Sequence, residues 1–310
     1  MIVALAPLGL VTVVLAATSA LAVLALRLVD AGRIRLAAQA HARVVFALVL
    51  APGLLAVSFT AGTWLDHHVL GCAAHQCLRH VEPGPLAIVL ACLGALLVAR
   101  VGLQLARVLR TWRRGQSLVA ELERCSVAAP GYRILPGDGR DVFVAGFTRA
   151  RVFVAQRLVE TAEPAELDAA LEHERAHVRR RDPLRRLLAS AALAFHLPGV
   201  AAWLEARLVR AIEMAADADA AVVTGDRLGL AAALVRFARL QLVRPLAMAT
   251  SFAADDVEAR VRRLLEPGGS AAQPSPGVAI AVGCMVVGAV LFASEPLHDA
   301  LEAARRVLLL

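Results

Sequence analysis

The chain contains no lysine; all 33 of its basic residues are arginine. No S-x-x-K acylation motif can therefore be present. With the heavy use of Ala, Leu and Val, the bias reads as a GC-rich coding preference rather than a functional choice. Charge is scarce too. Charged residues make up 19% of the chain against 59% hydrophobic ones, and the mean hydropathy is +0.65. An ordinary soluble domain is about half apolar, so these values exclude a wholly soluble chain and point to a membrane. No internal repeat is present. The formal net charge is +7. A basic balance suits nucleic acid or anionic lipid. Many of the arginines flank the apolar runs, so the lipid bilayer is the expected partner and direct nucleic-acid binding is not expected.

Four runs lack charge over a length that suits a bilayer, which takes about 20 residues of helix. They are residues 2–26 (25 residues), 44–65 (22), 83–99 (17, with apolar character continuing past Arg100 to Ala106) and 276–294 (19). The first run has no basic start and no clear small-residue cleavage site, so it reads as a retained helix rather than a signal peptide. Arginine placement sets the orientation. The first loop carries Arg27, Arg33, Arg35 and Arg43 against Asp30, and Arg100, Arg107, Arg110, Arg113 and Arg114 follow the third run. The second loop, 66–82, carries only Arg79. The expectation is a multi-pass protein of a bacterial plasma membrane with the first loop and central region cytosolic and both termini outside. Three units follow: 1–109 with three transmembrane helices, 110–270 as a cytosolic domain, and 271–310 with a fourth transmembrane helix and a short external tail.

The central region opens with a mixed helix at 112–125 and a Pro/Gly-rich stretch. Two short β runs, 141–144 and 151–154, flank a plausible hairpin connection. Helical patterning dominates afterwards. Pro164 suits a first turn, with Thr161 or Glu163 as cap, and that helix should end before Pro183. Further helices are predicted at about 184–197, 200–224, 227–243 and 254–265. The apolar stretch 187–197 is too short to span. The predicted fold class is mainly α and integral membrane, with four transmembrane helices and an α+β cytosolic domain containing a small β-hairpin.

His173 and His177 stand four residues apart in His173-Glu174-Arg175-Ala176-His177. On a helix, both imidazoles lie on one face, one turn apart, where two ring nitrogens can bind one Zn²⁺. Glu174 lies about 100° round the helix, within reach of a water held by the metal, as the H-E-x-x-H general base does. A catalytic zinc takes three protein ligands and keeps one open position. Glu213 is the third ligand predicted, 36 residues after His177, because the turn at Pro198-Gly199 lets its helix fold back. Asp217 lies one turn beyond Glu213 amid small apolar residues. A buried carboxylate there needs a cation or donors, and a ligand imidazole N–H would serve as the donor to Asp217.

These motifs resemble the BlaR/MecR-type antirepressor metallopeptidases. The resemblance rests on H-E-R-A-H followed by Arg-Arg-Arg-Asp-Pro, on E-x-x-A-D at 213–217, and on the segment 144–154 before the zinc helix. It covers about 126–265, with three apolar runs before and one after. It implies a gluzincin-like zinc endopeptidase with one Zn²⁺ per chain, held by His173, His177 and Glu213, with Glu174 as base. It also implies a BlaI/MecI-like transcriptional repressor as protein substrate. The family's β-lactam sensors add a penicillin-binding domain; with no S-x-x-K motif present, such a domain is not expected here and β-lactam acylation is not the expected trigger. HtpX-type membrane quality-control proteases share both motifs and are a second expectation. A third is a catalytically silent signalling protein with structural zinc, against which the intact Glu174 argues.

Smaller features have their own readings. Cys72 and Cys77, in the external loop beside four histidines, are expected to form a small disulfide, with metal sensing as the alternative. Arg100 is expected to snorkel to the cytosolic interface, and the arginines at 179–181 to sit as a solvated helix end. Asp182, Tyr132 and His196 are read as structural.

Overall fold

A computed structural model describes residues 2–30, 36–68, 85–139, 141–242 and 252–265. Three long helices come first: α1 (Ile2–Leu28), α2 (Ala38–His68) and α3 (Pro85–Cys125). Each is long and apolar enough to cross a membrane. In hydrocarbon, backbone groups must be paired within the segment, which makes helix the natural form of these runs. The 41-residue α3 passes without a break from its apolar half into the predicted mixed helix, so the boundary expected after residue 109 falls inside it. The fourth apolar run and the Cys72/Cys77 loop lie outside the described residues.

The predicted hairpin is two strands of a larger sheet. Strands β1 (Val127–Ala129), β2 (Tyr132–Leu135), β3 (Val142–Ala145) and β4 (Arg151–Ala155) form one four-stranded sheet in the order β1-β2-β4-β3. β3 and β4 pair antiparallel, Val142 opposite Val154 and Val144 opposite Val152, while β2 pairs parallel to β4. The Pro/Gly-rich stretch hid β1 and β2. Its glycine supplies their tight turn, with Gly131 at φ 82°, a conformation glycine reaches without penalty. Phe153, fully buried in the central strand β4, packs with Ala145 and Phe143 against Val119 and Leu122 on the end of α3. Val152 and Val154 pack with Leu171 and Val178 of the next long helix. The sheet thus joins the membrane helix to the helix carrying the histidines.

That helix is α5 (Pro164–Arg180), preceded by the short α4 (Gln156–Thr161). Glu163 occupies its N-cap without a side-chain cap bond. It ends one residue earlier than Pro183 requires, at Arg181, whose φ of 56° is left-handed. α6 (Asp182–Ala192) and a 3-10 turn at Leu193–Phe195 lead to α7 (Pro198–Thr224), closed by Gly225 at φ 69°. α8 (Arg227–Leu242) and α9 (Phe252–Leu265) complete the described chain.

The apolar stretch around 187–197 does not lie free. Ala189, Ala192 and Leu193 share a core with Leu26, Val45 and Val49 of the first two helices and with Leu204, Leu208 and Ile212 of α7. Phe195 packs against Val11, Leu15 and Ala56, and Gly53 admits it: a Cβ there would sit 3.0 Å from the ring. Arg100 of α3 meets the turn after α6. Its Nη2 donates to the Leu193 carbonyl at 3.2 Å, and one turn on Gln104 donates to the Ser190 carbonyl at 2.8 Å. The Leu193 carbonyl also accepts from the His196 N–H at 3.2 Å, so the guanidinium adds a second donor at this turn. His196 is structural: it is buried and its Nε2 donates to the Val49 carbonyl at 3.1 Å.

Candidate metal centre

His173 and His177 lie on consecutive turns of α5, with ring centroids 4.8 Å apart and planes at 88°. Ala176 between them is fully buried, as are Ala215 and Ala216 on α7. With only methyl groups at the crossing, α5 and α7 approach closely and Glu213 reaches the imidazoles. Its Oε2 is 3.4 Å from His173 Nε2 and its Oε1 is 3.7 Å from His177 Nε2. One donor atom from each of the three residues lies within 4.8 Å of the others.

Each imidazole is anchored from behind. His173 Nδ1 is 2.9 Å from Asp217 Oδ1, and His177 Nδ1 is 2.9 Å from Asp182 Oδ2. An ionised carboxylate only accepts, so each Nδ1 donates and Nε2, which carries a lone pair whenever the ring is neutral, is the nitrogen turned inward. The two Nε2 atoms face each other at 3.2 Å. Two lone pairs at that distance repel unless a cation or proton lies between them. Two inward imidazoles and a carboxylate, with carboxylates on the outer ring nitrogens, are the donor set that suits zinc.

Asp217 and Asp182 are both deeply buried, and arginines satisfy them. Arg260 of α9 donates from Nε and Nη2 to the two oxygens of Asp217 at 2.7 and 2.8 Å, and its Nη1 lies 3.4 Å from Glu213 Oε2. Arg180 Nε donates to Asp182 at 3.2 Å. The 179–181 run is therefore not a uniform solvated end: Arg180 turns inward while Arg179 pairs with Glu172. Arg260 and the contact of Asp182 escaped the sequence reading. A signal for Arg260 exists, since it falls in the stripe Val257, Val261, Leu264 where an apolar side chain is expected. Nothing local reveals which carboxylate it meets 43 residues away.

The electrostatics follow from burial and these partners. Burial pulls the His173 imidazole down, but hydrogen bonds to Asp217 and Glu213 outweigh it and hold it up at about 9. Burial pushes Glu213 and Asp217 up, and their bonds to His173 and to the Arg260 charge bring both down to about 2. Burial raises the Glu174 carboxyl above its ordinary value, opposed by the two imidazoles. A carboxylate with a raised pKa is a better proton acceptor near neutral pH.

Residues 124–270 match Peptidase family M48. The chain is a metallopeptidase, a hydrolase of peptide bonds, and its H-E-x-x-H helix and Glu213 both lie in the matched region. No curated protein and no solved structure matches the chain. M48 peptidases are typically zinc-dependent, and the His173–His177–Glu213 cluster fits that metal among the described residues. Three apolar helices associate this metallopeptidase with a membrane.

Proposed function

We propose that this chain is a membrane-bound zinc endopeptidase that works at the cytosolic face and cleaves a cytosolic BlaI/MecI-like transcriptional repressor. The observation that carries the catalytic reading is the convergence of two back-anchored imidazoles and the Glu213 carboxylate. The repressor as substrate is supported by the motif pattern and by three apolar helices preceding the site. The arginines that flank those helices support a cytosolic site with the N-terminus outside.

His173, His177 and Glu213 would hold the zinc ion, which would supply Lewis acidity and an activated water. Asp217 and Asp182 keep each imidazole in the tautomer that presents Nε2 to the ion. Glu174 accepts the proton of the attacking water and returns it to the leaving amine nitrogen. The substrate peptide lies extended along β3, an edge strand of the sheet, where its backbone adds a strand.

Glu174→Gln tests the assignment. Repressor cleavage should fall by at least about a hundredfold, in line with loss of a general base, while bound zinc stays near that of the wild type. A variant that cleaves at the wild-type rate would remove Glu174 from the mechanism. Degradation of many unrelated membrane proteins, with the repressor left intact, would replace signalling by quality control.

A further inference from the structure

We propose that Gln39, in the first turn of membrane helix α2, is a positioning residue for the metal centre. The inference rests on reading His173, His177 and Glu213 as the zinc site. Gln39 is 138 positions from His177 in sequence, yet an unbroken chain of polar contacts joins them. Gln39 Nε2 donates to Asp219 Oδ1 at 2.8 Å. Asp219 Oδ2 lies 3.5 Å from Arg180 Nη1. Arg180 Nε donates to Asp182 Oδ2 at 3.2 Å, and that same oxygen accepts from His177 Nδ1 at 2.9 Å.

Each link has a reason to be there. Asp182 is 1% exposed, so its charge needs donors, and besides His177 it has Arg180 and, at 3.4 Å, Arg185. The Arg180 side chain is itself only 10% exposed. A buried guanidinium between two carboxylates is aimed by both. Asp219 fixes one end of it, and the Gln39 amide fixes Asp219. Removing the amide donor leaves Asp219 free to turn to solvent, Arg180 free to follow it, and Asp182 a weaker anchor for the imidazole.

A second thread leaves the same junction. Arg263 of α9 donates to the Leu36 carbonyl at 3.3 Å, one turn from Arg260, which holds Asp217 behind His173. Leu36 and Gln39, at the start of α2, therefore contact α9 and α7, the helices that carry Arg260 and Asp219.

The test uses the full chain in detergent and measures zinc affinity by chelator competition. Gln39→Met keeps the length and removes the donor. It should weaken zinc binding about three- to tenfold, less than the 10- to 100-fold typical of a residue bonded directly to a ligand. Gln39→Lys restores a donor to Asp219 and should return the affinity to within about twofold of wild type. The double variant Gln39→Met/Asp219→Ala should bind no more weakly than Asp219→Ala alone, because Gln39 acts through Asp219. If Gln39→Met does not fold, Gln39→Ala takes its place. Wild-type affinity in the donor-free variant, or additive losses in the double variant, overturns the role of Gln39. Undiminished zinc in His177→Ala overturns the site reading itself, a separate result from the same assay.

Discussion

At the scale of single residues, the site is a balance of charges that a proton or a metal can each complete. His173 Nε2 faces a carboxylate and a second imidazole, and the imidazole stands at about 9. Zinc binds only the neutral ring. Below pH 9 the ion must displace the proton, so affinity falls as the pH falls and levels off above 9. Between pH 6.5 and 9 we expect about a tenfold change per unit. Titration calorimetry in buffers of different ionisation heat should show about one proton released per zinc near neutral pH; zinc uptake with no proton release would contradict the charge assigned to His173. Arg260 sets the opposite side of the balance. Bound to both oxygens of Asp217 and near Glu213, it keeps two carboxylates ionised in a buried place, where an unpaired charge costs several kcal/mol.

At the scale of elements, the site depends on one sharp corner and one close crossing. The corner is Arg181, where α5 stops and α6 starts, with Asp182 as the first residue of α6. A non-glycine residue in the left-handed region costs roughly 1–2 kcal/mol, and the Arg181 N–H closes the helix end by bonding to the carbonyls of His177 and Val178. Arg181→Gly should keep this geometry without the strain. Thermal unfolding of the full chain should shift upward by an amount equivalent to about 1 kcal/mol, with zinc affinity unchanged. A lower midpoint would mean that the arginine side chain contributes more than its backbone costs. The crossing of α5 and α7 is built from alanines, and in it Ala176, Ala215, Ala216 and Ala220 are fully buried.

At the scale of the whole molecule, the peptidase and the membrane bundle share one core. Leu26, Val45 and Val49 bury the same cluster as Leu193, Leu204, Leu208 and Ile212. The tip between α6 and α7 reaches among α1, α2 and α3. A fragment restricted to 124–270 would expose the apolar face of α6 and α7, a patch that promotes association. That fragment should aggregate in detergent-free buffer on size exclusion and retain no stoichiometric zinc. A monodisperse, zinc-binding fragment would show that the bundle only anchors the peptidase.

The three long apolar helices, the hairpin strands, the break near Pro183 and the three side chains that converge as a candidate metal site were legible in the linear text. Uncharged length, alternation, proline and i, i+4 spacing are local signals, and Asp217 stood out because a carboxylate amid alanines needs a partner. The remaining sheet strands hid in a Pro/Gly-rich stretch too short to show a period. The sequence alone determined which side chains can hold a metal and that the chain is built for lipid. Only the tertiary structure decided that Arg260 anchors Asp217, that Asp182 backs His177, and that Arg100 and the 193–197 tip turn into the bundle. Those partners lie from 5 to 147 residues apart, and their pairing follows from where a buried charge or carbonyl finds a donor in space.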